Sequence, residues 1–330
     1  MVSILCLAYN HEPYIEDALE GFLIQRTDFP FEILIHDDAS TDRTADIIHE
    51  YESIYPNLIK PIYQRENQYS QGIRVTLTYQ YPRALGKYIA MCEGDDYWID
   101  PYKLQKQVDF LEANPDYGMT YSKVIYFIQK KNKYDHYFGG DKETFEELLF
   151  GNSVPTLTAC FRLDLFQEYQ QDIKPETRNW LMGDYPMWLY FAQKNKIKYE
   201  NRVTGVYRVL VNSASHSTDT RKEIDFKKNY IDIADFFCDK YCKRNATARQ
   251  KFDLYYAWML FRIWTKWHTP IAKQQIMDRI LNKKGDKSLK LKLIQFTFSF
   301  PIFRYVFVIY DKIGLVALRQ KLMRYRETPE

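Results

Sequence analysis

The first hundred residues alternate between two hydrophobic periods, and this alternation limits the folds open to the chain more than any other feature. "VSILCLAY" is a short, continuous apolar run, the pattern of a strand buried on both faces. "EPYIEDALEGFLIQ" follows, with Tyr14, Ile15, Ala18, Leu19, Phe22 and Leu23 at helical spacing. "FEILIHDD" predicts a second strand. "STDRTADIIHEYESIY" predicts a second helix, capped by Ser40, Thr41 or Asp42, with Ile47, Ile48, Tyr51 and Ile54 on one face. "KPIYQ" is a weak third strand and "GKYIAMCE" a strong later one. A β-α-β-α order of this kind predicts an α/β fold with a mostly parallel central sheet flanked by helices.

Further along, Asp100 and Pro101 open a helix with Leu104, Val108 and Leu111 on one face. "YGMTYSKVIYFI" and "SVPTLTACFR" alternate like strands, and "GDYPMWLYFAQKN" begins a helix at Asp184 with Pro186 in its first turn. "RVTGVYRVLVNSASHS" reads as a strand followed by a polar loop, and from about Thr218 the chain is helical in character. Its 330 residues fit two domains, expected at residues 1–216 and, mainly helical, 217–330.

Charge is unevenly spread. Lys283 to Glu330 holds eleven Lys or Arg against four Asp or Glu, a local excess of +7, which leaves −4 for the rest of a chain whose net charge is +3. A basic tail on an acidic body argues against nucleic acid as the main partner, because a nucleic-acid face belongs on the folded body. The 28 Tyr suit sugar-stacking or membrane-interface surfaces, although core packing accounts for most tyrosines. The five cysteines are odd in number and widely spaced, which implies no disulfide framework and a reducing compartment. The opening residues carry no charged n-region and too short an apolar run for a signal peptide, so a cytoplasmic location is expected.

In open α/β sheets ligands sit beyond the carboxyl ends of the strands. There the first strand ends in Ala8, Tyr9 and Asn10, the second in "HDDASTD", and the later one in "EGDDYW". Asp37 and Asp38 can accept the N–H of a base or the hydroxyls of a ribose. Glu93, Asp95 and Asp96 crowd three like charges into four positions, which costs stability unless something positive offsets it. Glu93 and Asp95, two apart on an extended backbone, can face the same side, with Gly94 letting a ligand approach. Such a pair suits a hard cation, Mg²⁺ or Mn²⁺, held against a diphosphate.

"VSILCLAYN", "EILIHDDASTDRT" and "KYIAMCEGDDYWIDPYKLQKQ", in this order and spacing, resemble the inverting glycosyltransferases of family 2, over roughly residues 1–216. The resemblance implies a GT-A fold with a Rossmann-like sheet and a helical C-terminal extension, of the type that builds bacterial surface polysaccharides. It also implies a nucleotide-sugar donor, with Ala8, Tyr9, Asn10, Asp37 and Asp38 around the nucleoside, Asp95 as the main metal ligand and Asp96 as a further metal-ligand candidate. Glu93 stands where the family usually has Asp, and its longer side chain reaches either the metal or a ribose hydroxyl. Asp184 looks like the family's catalytic base, a role compatible with capping its own helix. "VYRVLVNSASHS" is similar to the segment that closes over the diphosphate, giving Arg208 a phosphate role and His216 a metal-ligand role.

The implied partners are a nucleotide-diphosphate sugar, by family frequency a UDP-sugar, and a glycan or lipid-linked acceptor. Leu293 to Tyr310 is an 18-residue apolar run interrupted by Pro301 and Arg304, which disfavours a membrane span. With lysines before it and arginines after it, the run fits peripheral binding to the anionic inner face of the cell membrane, or an ordinary packed subdomain. Homo-oligomer formation is left open. Two other functions remain at this level: a nucleotidyltransferase, although no Gly- and basic-rich triphosphate loop follows the first strand, and a non-catalytic nucleotide-sugar-binding partner in a glycan-synthesis complex.

Overall fold

The continuous apolar runs become the centre of the sheet. In the computed structural model, which describes residues 1–211, 220–242 and 246–267, strands β1 (Val2–Ala8), β2 (Phe31–Asp37), β3 (Ile59–Tyr63) and β4 (Tyr88–Met91) lie parallel in the order β3-β2-β1-β4. Ile4, Cys6, Ile33, Ile35 and Ala90 are fully buried there. The 2.0 and 3.6 periods are both realised: α1 (Ile15–Leu23) buries Ile15, Ala18, Leu19 and Phe22, the face expected from their spacing.

Helix α2 (Thr44–Ile54) departs from expectation at both ends. None of Ser40, Thr41 and Asp42 occupies its N-cap position, which is Arg43: the Ser40 hydroxyl donates to Asp37 and that of Thr41 to Asn10, while Asp42 accepts the N–H of Thr44, the first helical residue. Ile54, expected on the packed face, is exposed at the last turn.

Beyond β4 the sheet becomes mixed. Strand β8 (Cys160–Arg162) runs antiparallel to β4 and to β6 (Tyr117–Ile128), while β9 (Lys196–Val209) lies parallel to β6 and antiparallel to the short β5 (Tyr97–Trp98). A hairpin that the sequence did not signal, β7 (Lys133–Phe138), pairs with the outer half of β6. The stretch "SVPTLTACFR" is strand only over its last residues. Pro155 cannot donate to a ladder, and Thr156–Thr158 instead forms a 3-10 turn in which the Thr158 hydroxyl bonds Pro155 O at 2.9 Å and Ser122 O at 3.1 Å.

Helices α3 (Lys103–Ala113) and α5 (Leu163–Ile173) pack against this sheet, while α4 (Phe145–Leu149) packs on the helix that opens at Asp184. Helix α6 (Asp184–Lys194) buries seven consecutive residues from Tyr185 to Phe191, so it is apolar around its whole circumference and lies inside the core. Much of the aromatic surplus is therefore core: Tyr81 stacks on Phe166 at 3.5 Å, and Phe161 meets Trp188 at 5.9 Å and Phe191 at 5.1 Å. All five cysteines are free and buried.

Gly21 shows how closely α1 lies on the segment after β4. A Cβ there would sit 2.8 Å from Trp98 N and 2.9 Å from Trp98 O, backbone atoms fixed in the sheet. Gly21→Ala is expected to lower unfolding stability by about 1–3 kcal/mol, as overpacking does. Urea denaturation checks it, and an unchanged midpoint would mean that α1 moves freely over the sheet.

The chain divides into two compact units, Met1–Thr218 and Asp219–Glu330. In the second, α7 (Thr220–Tyr241) and α8 (Ala246–Trp267) pack on each other, and Arg249 joins Asp235, Asp239 and Asp253. Among the described residues no helix is long and apolar enough to cross a membrane. His216 and the Leu293–Tyr310 run with its basic flanks lie outside the described residues.

Candidate functional site

The site begins where β1 and β2 end side by side, with Ala8 in register with Asp37 and Ala8 O accepting the Asp38 N–H at 2.9 Å. The chain then turns through left-handed conformations at Asn10 (φ 54°) and Ala39 (φ 61°). Asn tolerates this region because its side chain can bond locally; Ala gains nothing in return, so Ala39 is a strained residue. What holds both turns is a set of cross-links: Asn10 N–H to Ser40 Oγ at 2.9 Å, Thr41 N–H to Asn10 Oδ1 at 2.8 Å, His11 N–H to Thr44 Oγ1 at 2.7 Å and Glu12 N–H to Asp42 Oδ2 at 3.1 Å.

The adjacent aspartates part company here. Asp37 is almost fully buried, and burial raises its carboxyl above the usual range while the Ser40 hydroxyl and N–H oppose the shift. Asp38 uses both oxygens on the chain, accepting the Gln68 N–H at 2.8 Å and the Tyr69 N–H at 3.0 Å. It therefore organises the loop after β3. An open cleft of about 450 Å³ lies along that loop, lined by Tyr63, Gln64, Arg65, Glu66 and Gln68, and Gln64 N–H bonds Asp37 O at 3.0 Å. Tyr9 stands 45% exposed on the same rim, its ring free to stack on a flat ligand.

The acidic turn lies beside the end of β1, with Gly94 N–H donating to Leu7 O at 2.8 Å. Gly94 is needed for packing: a Cβ would lie 2.8 Å from Ile15 Cδ1 and 3.0 Å from His11 Nδ1. Among the described residues no side chain is hydrogen-bonded or ion-paired to the Glu93 or Asp95 carboxylate, and Glu93 accepts from its own backbone N–H. Burial, then the charges of Asp95 and Asp184, push Glu93 up to about 7. Two carboxylates of the acidic turn and a third from the start of α6 thus share one field.

Asp96 and Arg208 are placed differently from expectation. Asp96 turns inward, 3% exposed, and accepts the Arg208 backbone N–H at 2.7 Å, so it does not face the same space as Asp95. The Arg208 guanidinium is engaged by Asp17 and Gln129 and lies 4.8 Å from the centre of the Tyr97 ring. Both tie β9 to the acidic turn, and the buried Arg208 Nε has no hydrogen-bond partner among the described residues.

Asp184 opens α6, with Gly183 rather than Asp184 in the N-cap position. Its Oδ2 accepts the Thr156 hydroxyl at 2.6 Å and its Oδ1 the Tyr185 N–H at 2.7 Å. Arg74 fixes the approach to this residue, donating from Nη2 to Arg178 O and to Trp180 O, each at 2.8 Å.

Carboxylate oxygens that no side chain occupies suit a hard cation, and Glu93 with Asp95 supplies them. Among the described residues no three His, Cys, Asp or Glu side chains gather into a complete cage. The pair fits Mg²⁺ or Mn²⁺ only with the rest of the shell made of water or ligand phosphate, the usual mode for Mg²⁺.

This geometry agrees with what the chain is similar to. The family model "Glycosyl transferase family 2" matches residues 3–170. The chain belongs to glycosyl transferase family 2. Across 226 residues it is 46% identical to an uncharacterized protein of Mycobacterium tuberculosis, a match covering 67% of this chain. The chain spans 63% of the length of that relative. It is 31% identical over 217 residues to the Escherichia coli enzyme WfaP, a UDP-Glc:alpha-D-GlcNAc-diphosphoundecaprenol beta-1,3-glucosyltransferase, covering 65% of this chain and 80% of WfaP. Among solved structures, Staphylococcus aureus TarS 1-349 in complex with UDP-GlcNAc superposes with a TM-score of 0.58 over 84% of this chain and 79% of that one, at 16% identity, a likeness of fold. The fold is GT-A.

In this family 2 chain three residues of the site were missed by sequence reasoning. Thr156 lay inside a stretch read as strand, where Pro155 was the available warning. Arg74 acts across more than a hundred positions and left no local trace. His11 packs its buried Nδ1, which has no hydrogen-bond partner, against Gly94. Burial lowers its pKa despite the nearby Asp95, Asp42 and Asp37.

Proposed function

We propose that this chain transfers a sugar from a nucleoside diphosphate donor, a UDP-sugar, to a hydroxyl of a lipid-linked saccharide, with inversion at the anomeric carbon. The observation that carries this reading is that the charges of Asp95 and of Asp184 both reach the Glu93 carboxyl and raise it, which sets the start of α6 beside the acidic turn after β4. UDP and a lipid-linked acceptor are drawn from WfaP, and TarS supports UDP independently. Family membership favours glycosyl over nucleotidyl transfer.

On this reading Tyr9 stacks on the base and Asp37 receives its N–H, with Ala8 and Asn10 shaping the turn beneath. Asp38 acts by holding the Asn67–Tyr69 loop against the nucleoside. Glu93 and Asp95 hold the divalent cation, which when bound supplies Lewis-acid stabilisation of the departing diphosphate. Asp184 accepts the acceptor's hydroxyl proton as that oxygen attacks from the face opposite the nucleotide. A single displacement of this kind inverts the anomeric centre. Incubation with UDP-sugars and a polyprenyl-diphosphate saccharide, with the product's anomeric configuration read by proton NMR, tests the proposal. A product of inverted configuration is expected; a retained configuration would overturn the single-displacement mechanism.

Thr156 positions Asp184 on this reading. Thr156→Val removes the 2.6 Å hydrogen bond while nearly keeping the volume. It is expected to lower kcat at least tenfold with donor KM unchanged, and Thr156→Ser should restore most of the rate, consistent with about 1.5–3 kcal/mol for a hydrogen bond to a charged group. A Val variant with wild-type kcat would remove Thr156 from the mechanism.

A further inference from the structure

The β6–β7 hairpin is the most exposed part of the first unit's sheet. All residues from Lys130 to Tyr137 are exposed, and among the described residues β7 pairs only with β6, leaving its outer edge open. Lys130, Lys131 and Lys133 crowd the tip against the single acid Asp135. Lysines alone would be ordinary protection of an open strand edge. Two tyrosines do not belong to such protection, yet Tyr134 and Tyr137 are 50% and 52% exposed beside them. Cationic heads next to amphipathic rings are the combination that suits the headgroup layer of an anionic membrane.

The hairpin is also wired to the site. The Tyr134 hydroxyl lies 3.1 Å from that of Tyr97, the residue after Asp96. Gln129 Oε1, at the hairpin turn, accepts from Arg208 Nη1 at 3.1 Å, and the Arg208 backbone N–H holds Asp96. A surface that engages this hairpin is therefore held next to the acidic turn.

We propose that the β6–β7 hairpin docks the protein on an anionic lipid bilayer and so presents the site to acceptors anchored there. The acceptor part rests on the lipid-linked acceptor of the proposed function; the docking itself does not. Each lysine near an anionic surface contributes about 1 kcal/mol, so removing three charges should weaken binding about 100-fold.

The experiment is sedimentation of the full chain with vesicles of phosphatidylglycerol and phosphatidylcholine, or of phosphatidylcholine alone, without donor or acceptor. The wild type is expected to bind only the anionic vesicles, and Lys130→Gln, Lys131→Gln, Lys133→Gln combined to lose about 100-fold. Tyr137→Ser, which leaves the charges in place, should weaken binding by a smaller factor. Unchanged thermal stability of the variants keeps the comparison valid, since these side chains are exposed. Binding by the triple variant equal to wild type would overturn the proposal and move the membrane contact to the basic tail. Equal binding to neutral vesicles would overturn its electrostatic basis. Because the readout is binding, a failed transfer assay would leave it standing.

Discussion

Asp184→Asn is expected to lower kcat for sugar transfer by about a thousandfold while the affinity for the nucleotide donor stays within a factor of two. General bases contribute roughly 10²–10⁴ in rate, and the amide is nearly the same shape as the carboxylate but cannot take a proton. The amide oxygen can still accept the Tyr185 N–H while the amide N–H donates to Thr156 Oγ1, so the start of α6 should keep its place. Steady-state kinetics separates the outcomes, because loss of a group acting in the transition state lowers kcat without raising donor KM. A variant retaining a tenth or more of wild-type kcat would show that another group takes the proton.

The second large effect belongs to Asp95. Asp95→Ala should abolish the cation-dependent part of nucleotide binding, about 2.7 kcal/mol of stabilisation at a ligand concentration of 100 Kd. The same substitution should make the ligand-free protein more stable, since Asp95 is a like charge acting on both Glu93 and Asp96. The two changes have opposite signs, which no general loss of folding can imitate. Thermal denaturation with and without UDP and Mn²⁺ reads both. A variant less stable than wild type in the absence of ligand would contradict the reading of the turn as uncompensated charge.

What the sequence made legible was whatever a local pattern can carry. Continuous apolar runs marked β1, β2 and β4, and helical spacing marked α1 and α3, because burial on two faces or on one is written into successive residues. The acidic turn and Asp184 were visible for the same reason, as strand-end and helix-start signals. The parallel pairing of β6 with β9 and the exposed β7 hairpin were not visible, since partner choice between distant strands leaves no mark on either strand alone.

Within the site, the errors follow from single side-chain directions. Asp95 and Asp96 are chemically alike, yet one faces open space and the other accepts from Arg208 inside the protein. Asp37 and Asp38 are both buried, the first bonded by Ser40 three positions on and the second used by a loop thirty positions away. Thr156 reaches Asp184 across 28 positions, a contact that depends on a turn forming where alternation suggested a strand. Residue type announced that carboxylates would gather, and tertiary contacts decided which of them stayed free.

The central claim is a cation-assisted nucleotide-sugar site between β1, β2 and the acidic turn. Thermal stabilisation of the purified protein by UDP, GDP, dTDP and CMP, each with and without Mn²⁺, tests it most directly. UDP with Mn²⁺ is expected to raise the melting temperature by about 5 °C, with smaller shifts from the other nucleotides and from UDP alone. No shift with any nucleotide, with or without the cation, would contradict the donor site and the transfer reaction built upon it.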